Sequence, residues 1–386
     1  MDPGGTPVKR AFVVKGFLFL LPALFLAYVY FYPLICIGSL GFRGLEAGDP
    51  RLFRFLGSGD LFRILGFTFW QALLSTFFTL VIALPGAWAW ARCSFPGRNL
   101  FALLASLPFV LPAVVVAAAF LSLLGPSGLF ADFSRFLWGR PLFLEDSLML
   151  VILAHGFFNY AVVFRIVGGF WARIPESVWE AARVLGAGNV KGLMHVALPL
   201  LAPALFSASL LVFLFCFSSF GVILMLGGPA MNTLETEIYR RAVHLFQLPV
   251  AALLACVQLA LNFMVIAVQG RLERRFRTTM AFSGGRQRQG GGRRSRLAGT
   301  LALVSGFLIA LPLLAMATAS LRVGMPGPLA RTPHFSGRWG MVFFWYPLLR
   351  PWATPFSLPW GPWAWGWAWA SARPFFFLAG IPVSGL

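Results

Sequence analysis

The sequence predicts an all-α fold, a polytopic transmembrane helical bundle of about six to seven spans. Three observations predict it. Hydrophobic residues make up 59% of the chain and charged residues 11%, against roughly half and a quarter in an ordinary soluble domain, and mean hydropathy is +0.80. Uncharged runs recur that can each supply the roughly 20 apolar residues needed to cross a bilayer as a helix. Lys and Arg are shared unevenly between the segments that join those runs.

The runs, in order, are Gly16 to Phe42, Ile64 to Ala91, Asn99 to Ala131, Ser147 to Phe164 and on past Arg165, Pro199 to Leu226, Pro249 to Gly270, and Leu297 to Leu321. The first is too long for the apolar part of a cleavable signal and has no small-residue cleavage site, so it reads as a span. In the second, Thr68, Ala72, Ser75, Thr79 and Ala83 recur every three or four residues. Such a small, weakly polar stripe lets helices approach closely in lipid, so it reads as packing before pore lining. In the fourth, His155 and Asn159 lie on one face at i, i+4. Polar groups there are costly without partners, so they either bond a neighbouring helix, the simpler use, or face a cavity on a translocation path. Arg165 can snorkel to the interface. Gly227-Gly228-Pro229 ends the fifth run.

Basic residues are retained on the cytoplasmic side of a membrane. With the N-terminus inside, the inner segments hold Lys9, Arg10, Lys15, Arg92, Arg98, Arg173, Arg183, Lys191 and nine arginines between Arg271 and Arg296, against the acids Asp2, Glu176, Glu180 and Glu273. The outer segments balance eight arginines with eight acids. This places a multi-pass protein in the plasma (inner) membrane with a cytoplasmic N-terminus.

On that cytoplasmic side stands the most specific signal in the chain. Glu180-Ala181-Ala182 is followed, after three intervening residues, by Gly186 and, after nine more, by Val196-Ala197-Leu198-Pro199. Pro175 suits a first helical turn, and Ser177 with Glu180 has the spacing of a capping box. Ala181 and Ala182 keep the helix surface low, so a partner can approach. Gly186 falls where a helix end wants a residue tolerant of positive φ, and a second short helix runs from about Asn189 to His195. The plainer reading is an amphipathic connector lying on the membrane surface.

This spacing resembles, at every fixed position, the coupling loop of the permease subunits of binding-protein-dependent ABC importers. Further segments resemble the iron(III) and thiamine branch of that family: Phe67 to Ser75, Ser94 to Arg98, Ala154 to Tyr160, Phe217 to Pro229 and Thr233 to Tyr239. The similarity covers about residues 10 to 275. It implies the type I importer permease fold over residues 1–270, with the coupling loop at about 173–199 formed by Glu180, Ala181, Ala182, Gly186, Leu198 and Pro199. It also implies a cytoplasmic ABC ATPase dimer and an extracytoplasmic solute-binding protein as partners, with iron(III) or thiamine as cargo. The span after the coupling loop then borders the path, which makes Ser218 and Ser219 path candidates. Back-bonding to carbonyls four residues earlier is the equal alternative.

Members of this branch usually carry two such halves in one chain, whereas only one coupling loop occurs here. Residues 271–296, rich in Arg and Gly, read as a basic cytoplasmic linker against anionic lipid rather than a nucleic-acid site. Residues 297–322 resemble the first span of a second half. Residues 323–386 hold ten of the 27 prolines and eight of the 14 tryptophans, a change of character that suggests a frameshifted reading; an interfacial Trp-rich tail is the alternative.

Other functions fit less well. A secondary transporter needs no such loop, and no acid lies inside a span to carry coupling protons. Four scattered histidines without HExxH or GxSxG offer no catalytic set, so the chain is read as no enzyme. No Gly-Lys dipeptide occurs, so no cofactor is expected in this chain and ATP is bound by the partner. Cys36, Cys93, Cys216 and Cys256 are scattered without a CxxC, which makes them packing residues rather than metal ligands.

Overall fold

The computed structural model describes residues 20, 22–228, 231–276 and 293–322, and among these every regular element is helical. The chain falls into a unit Met1–Gly327 and a unit Pro328–Leu386. The expected tail, 323–386, lies outside the described residues, as does 277–292 of the expected linker.

Among the described residues, seven helices are long and apolar enough to cross a membrane. The first, α1 (Pro22–Glu46), contains a π turn at Ala27–Phe31. A short amphipathic α2 (Pro50–Gly57), capped by the Asp49 side chain on the Arg51 N–H, leads into α3 (Asp60–Arg92). The third run is not one helix. It begins as α4 (Arg98–Ser106), tightens into a 3-10 turn at Leu107–Val110, restarts as α5 (Ala113–Leu124), and is followed by α6 (Leu129–Trp138). Hydropathy is blind to Pro108, Pro112 and the Gly125-to-Gly128 turn; proline removes the backbone donor and its ring clashes with the preceding turn.

The fourth span, α7 (Leu148–Trp171), begins at the Ser147 cap, whose side chain accepts from the Leu150 N–H. It leads into α8 (Glu176–Val184) and α9 (Asn189–Gly192). A π turn at Leu193–Ala197 joins α9 to α10 (Leu198–Phe217). After a break come α11 (Phe220–Leu226), α12 (Leu234–Tyr239), α13 (Leu248–Phe276) and α14 (Arg293–Arg322). Residues 271–276 thus continue α13 and 293–296 open α14.

The π turns in α1 and before α10 share a cause. Each ends two residues before a proline, Pro33 and Pro199. The proline ring would collide with the carbonyl four residues back, and the wider turn moves that carbonyl aside.

Helix α3 packs along α7, and α10 packs against both. The stripe Thr68, Ala72, Ser75, Thr79 and Ala83 is wholly buried, and the Thr68 and Thr79 hydroxyls donate to the carbonyls four residues earlier. It is a packing face. One apolar cluster unites α3, α5, α7, α10, α11 and α14, while a second, with Leu52, Phe55, Ile64, Leu234, Val250 and Leu254, joins α2, α3, α12 and α13.

Candidate functional site: the loop after α7 and the polar junction

The loop is built by local hydrogen bonds. Pro175 is the residue before α8 (φ −61°, ψ 147°), not part of its first turn, and no side chain caps the helix. Ser177 therefore sits inside α8, and the expected capping box does not form. The other end is closed as the sequence predicts. Gly186 has φ +77°, its N–H donates to the Arg183 carbonyl (3.0 Å), and the Ala187 N–H donates to the Ala182 carbonyl (2.9 Å). These two bonds are the Schellman pattern, and they satisfy carbonyls that a helix end leaves open.

Ala182 corrects an expectation. It is only 8% exposed, so its small size serves packing within this chain. Glu180 and Ala181 are exposed, and beside them stand Val184 and Leu185 at 87% and 86%. Leu198 and Pro199 open α10 and are also exposed. The loop is tied to the end of α3: Arg92 pairs with Glu176, donates to the Ile174 carbonyl (3.4 Å), and lies 4.8 Å from the Trp179 ring centre. Arg183 completes the cluster on Glu176 at 3.1 Å.

The path candidates meet at the break between α10 and α11. Ser218 and Ser219 leave the helical conformation (φ/ψ −101°/35° and −96°/79°), and neither hydroxyl back-bonds among the described contacts. Instead the Ser219 Oγ lies 2.8 Å from His155 Nε2, and the Ser75 Oγ lies 3.0 Å from His155 Nδ1. His155 thus joins α3, α7 and the break while only 2% exposed, the use as a helix-to-helix bond. Asn159 Nδ2 donates to the His155 carbonyl and the Cys216 Sγ. Ser218 donates to Asn262 Oδ1 at 3.2 Å and accepts from Gln258 Nε2 at 3.3 Å.

Sequence reasoning missed part of this junction. Gln71 Nε2 donates to the Cys216 carbonyl at 2.9 Å, tying α3 to the last turn of α10. Gln258 and Asn262 lie at i, i+4 on α13 and were open to the same argument as His155: an amide inside a span needs a partner. Arg165 is exposed, with its Nε donating to the Ser106 Oγ at 3.2 Å. Gly227 caps α11 and Gly228 takes φ +65°, while Pro229 lies outside the described residues.

Irregular backbone at membrane depth is tolerated only where protein or a water-lined cavity covers it. A broken span whose ends are held by different helices, with a capped loop preceding it, belongs to a polytopic membrane protein of the helical class. Residues 83–278 match the model described as a binding-protein-dependent transport system inner membrane component, and the chain belongs to that family. It is a multi-pass membrane protein.

Among relatives, it is 32% identical over 266 residues to the thiamine transport system permease protein ThiP of Brucella abortus (strain 2308), covering 68% of this chain and 49% of that one. To ThiP of Escherichia coli (strain K12) it is 28% identical over 281 residues, 72% of this chain and 52% of that one. The chain spans about half the length of these relatives. A chain of a bacterial alginate ABC transporter, crystallised with an alginate pentasaccharide-bound periplasmic protein, shares the fold: TM-score 0.55 at 18% identity, covering 70% of this chain and 96% of that one.

Proposed function

We propose that this chain supplies one half of the translocation path of an ATP-driven, binding-protein-dependent importer of thiamine. ATP is bound by a separate cytoplasmic ATPase dimer, and a solute-binding protein delivers the cargo from outside. The observation that carries this reading is α8: a short helix closed at Gly186 that exposes Val184 and Leu185. An apolar pair standing almost fully in solvent on a capped, tethered helix is suited to burial by a partner. The tie from Glu176 to Arg92 gives that partner a rigid connection to α3. The thiamine assignment rests on the relatives named above. The N-terminus is assigned to the cytoplasm by the basic residues of the inner segments.

Two measurements test this. In a complex reconstituted with its ATPase, binding protein and second permease half, Gly186→Val and Val184→Asp are expected to insert normally and to lose most of the thiamine-stimulated ATPase activity; undiminished stimulation removes the docking role. In a cysteine-free version, single cysteines at Gly48 react with an impermeant thiol reagent added to intact cells and those at Gly188 do not. The opposite pattern inverts the orientation.

A further inference from the structure

Two glutamates on α12 stand in contrasting settings. Glu237 is fully buried and is held by Arg240 and Arg241 at 2.8 and 2.6 Å and by the Asn232 side chain. Glu235, two residues earlier, has no ion-pair partner among the described residues. Its carboxylate accepts the Phe220 N–H and lies 3.4 Å from Gln258 Nε2. It lines a groove of about 500 Å³ between α1, α12 and α13, with no Lys or Arg in the wall. That is a volume in the range of small-molecule sites. In a chain of net charge +19, a carboxylate facing an apolar groove without a cation is an incomplete pair.

Three further features point to what completes it. The Phe220 and Tyr239 rings stand 5.2 Å apart in the same wall, and ring faces attract cations. Gln258 is 7% exposed, and its Nε2 donates to the Glu235 carboxylate at 3.4 Å and to the Ser218 Oγ at 3.3 Å, so the carboxylate has a neutral amide beside it and still lacks a cation. The α1 side of the groove, Leu34 and Ile37, is aliphatic and suits a flat organic body rather than a hydrated metal ion.

We propose that this groove binds a small aromatic organic cation, with Glu235 as counter-charge, Phe220 and Tyr239 as ring contacts and Gln258 holding the carboxylate in place. The choice of thiamine, whose thiazolium ring carries a permanent positive charge, rests on the function proposed above; the site itself does not. Burial pushes the Glu235 carboxyl up to about 7, with the Phe220 N–H acting in the opposite direction. The charged form therefore gains as pH rises past that value, and binding strengthens between pH 6 and pH 8. The other titratable groups near the groove are Tyr239, Cys256 and His244, the last packed edge-on to Tyr239 at 5.3 Å. Arg240 and Arg241 are engaged by Glu237.

The test is thiamine binding to the full chain in phosphatidylglycerol nanodiscs, which contain no amine headgroup, by calorimetry at pH 8. Glu235→Gln is expected to weaken binding about tenfold or more and to abolish the gain from pH 6 to pH 8, whereas His244→Gln keeps that gain. Ile37→Trp, which fills the groove from α1 without touching the polar residues, is expected to abolish binding. Unchanged affinity in both Glu235→Gln and Ile37→Trp overturns the proposal. So does loss of thiamine binding when phosphatidylethanolamine replaces phosphatidylglycerol, because the occupant is then a lipid headgroup. If thiamine fails to bind while a benzyltrimethylammonium probe binds and depends on Glu235, the groove stands and the thiamine assignment falls. If the reconstituted importer moves thiamine and Glu235→Gln leaves its concentration dependence unaltered, the function stands and the groove falls.

Discussion

The loop after α7 and the polar junction within the membrane both depend on small and polar residues, and they spend them in opposite directions. In the loop, the bonds that set the shape run between near neighbours, Arg183 to Gly186 and Ala182 to Ala187, and the apolar side chains face out. In the junction, Gln71, Ser75, His155 and Asn159 face inward, and the decisive bonds join residues 64 to 145 positions apart. The difference separates a surface that leaves apolar side chains uncovered from a joint that buries its polar ones. It also decides which glycine is needed for what. Gly186 requires its backbone angle and has open space around it, whereas a Cβ on Gly86 would collide with the Tyr160 Oη and lie 3.2 Å from Phe101.

The widest separation between the loop and the packed spans is therefore expected from one substitution made twice. Gly86→Val should lower stability by about 3 kcal/mol, since overpacking at a closed interface forces neighbours out of place. Gly186→Val should cost about 1–2 kcal/mol, confined to the loop. Thermal unfolding in detergent reads the first, and hydrogen exchange across residues 176–187 the second; equal global effects would erase the contrast. Next, His155→Leu strands the Ser75 and Ser219 hydroxyls and is expected to cost about 2 kcal/mol. A double-mutant cycle with Ser219→Ala should recover a coupling of about 0.6–1.7 kcal/mol, and a coupling of zero would mean that the hydrogen bond is not what holds the break. The smallest effect belongs to the tether. Arg92→Gln should loosen α8 by about 1 kcal/mol, because the pair with Glu176 is partly exposed and screened. Faster exchange at Val178 to Ala182 with unchanged exchange in α7 is the expected signature.

What the sequence disclosed follows the same division. The Gly186 cap could be read because its partners lie within five residues. The seven runs could be read because burial in lipid needs only composition. The kinked third span could not, since hydropathy scores Pro108 and Pro112 as ordinary members of an uncharged stretch. Ser177 and Glu180 had the spacing of a capping box, but α8 starts at Glu176, with Pro175 as the residue before it, two residues earlier than that arrangement requires. The pairing of His155 with Ser75 and Ser219 depends on how three helices are brought together. A polar residue in a span announces that it has a partner without saying which.

The length of α3 has a consequence for where a partner would meet this protein. At 1.5 Å per residue its 33 residues reach about 50 Å, while the hydrocarbon layer is about 30 Å thick. A tilt of about 20° shortens the vertical reach by only a few ångströms, so a stretch of α3 must emerge from the oily layer. Arg92 is its last residue, and α8 hangs from Arg92. Where that stretch is the Arg92 end, the tethered loop is carried at or beyond headgroup depth, and Val184 and Leu185 are reached from water without displacing a lipid chain.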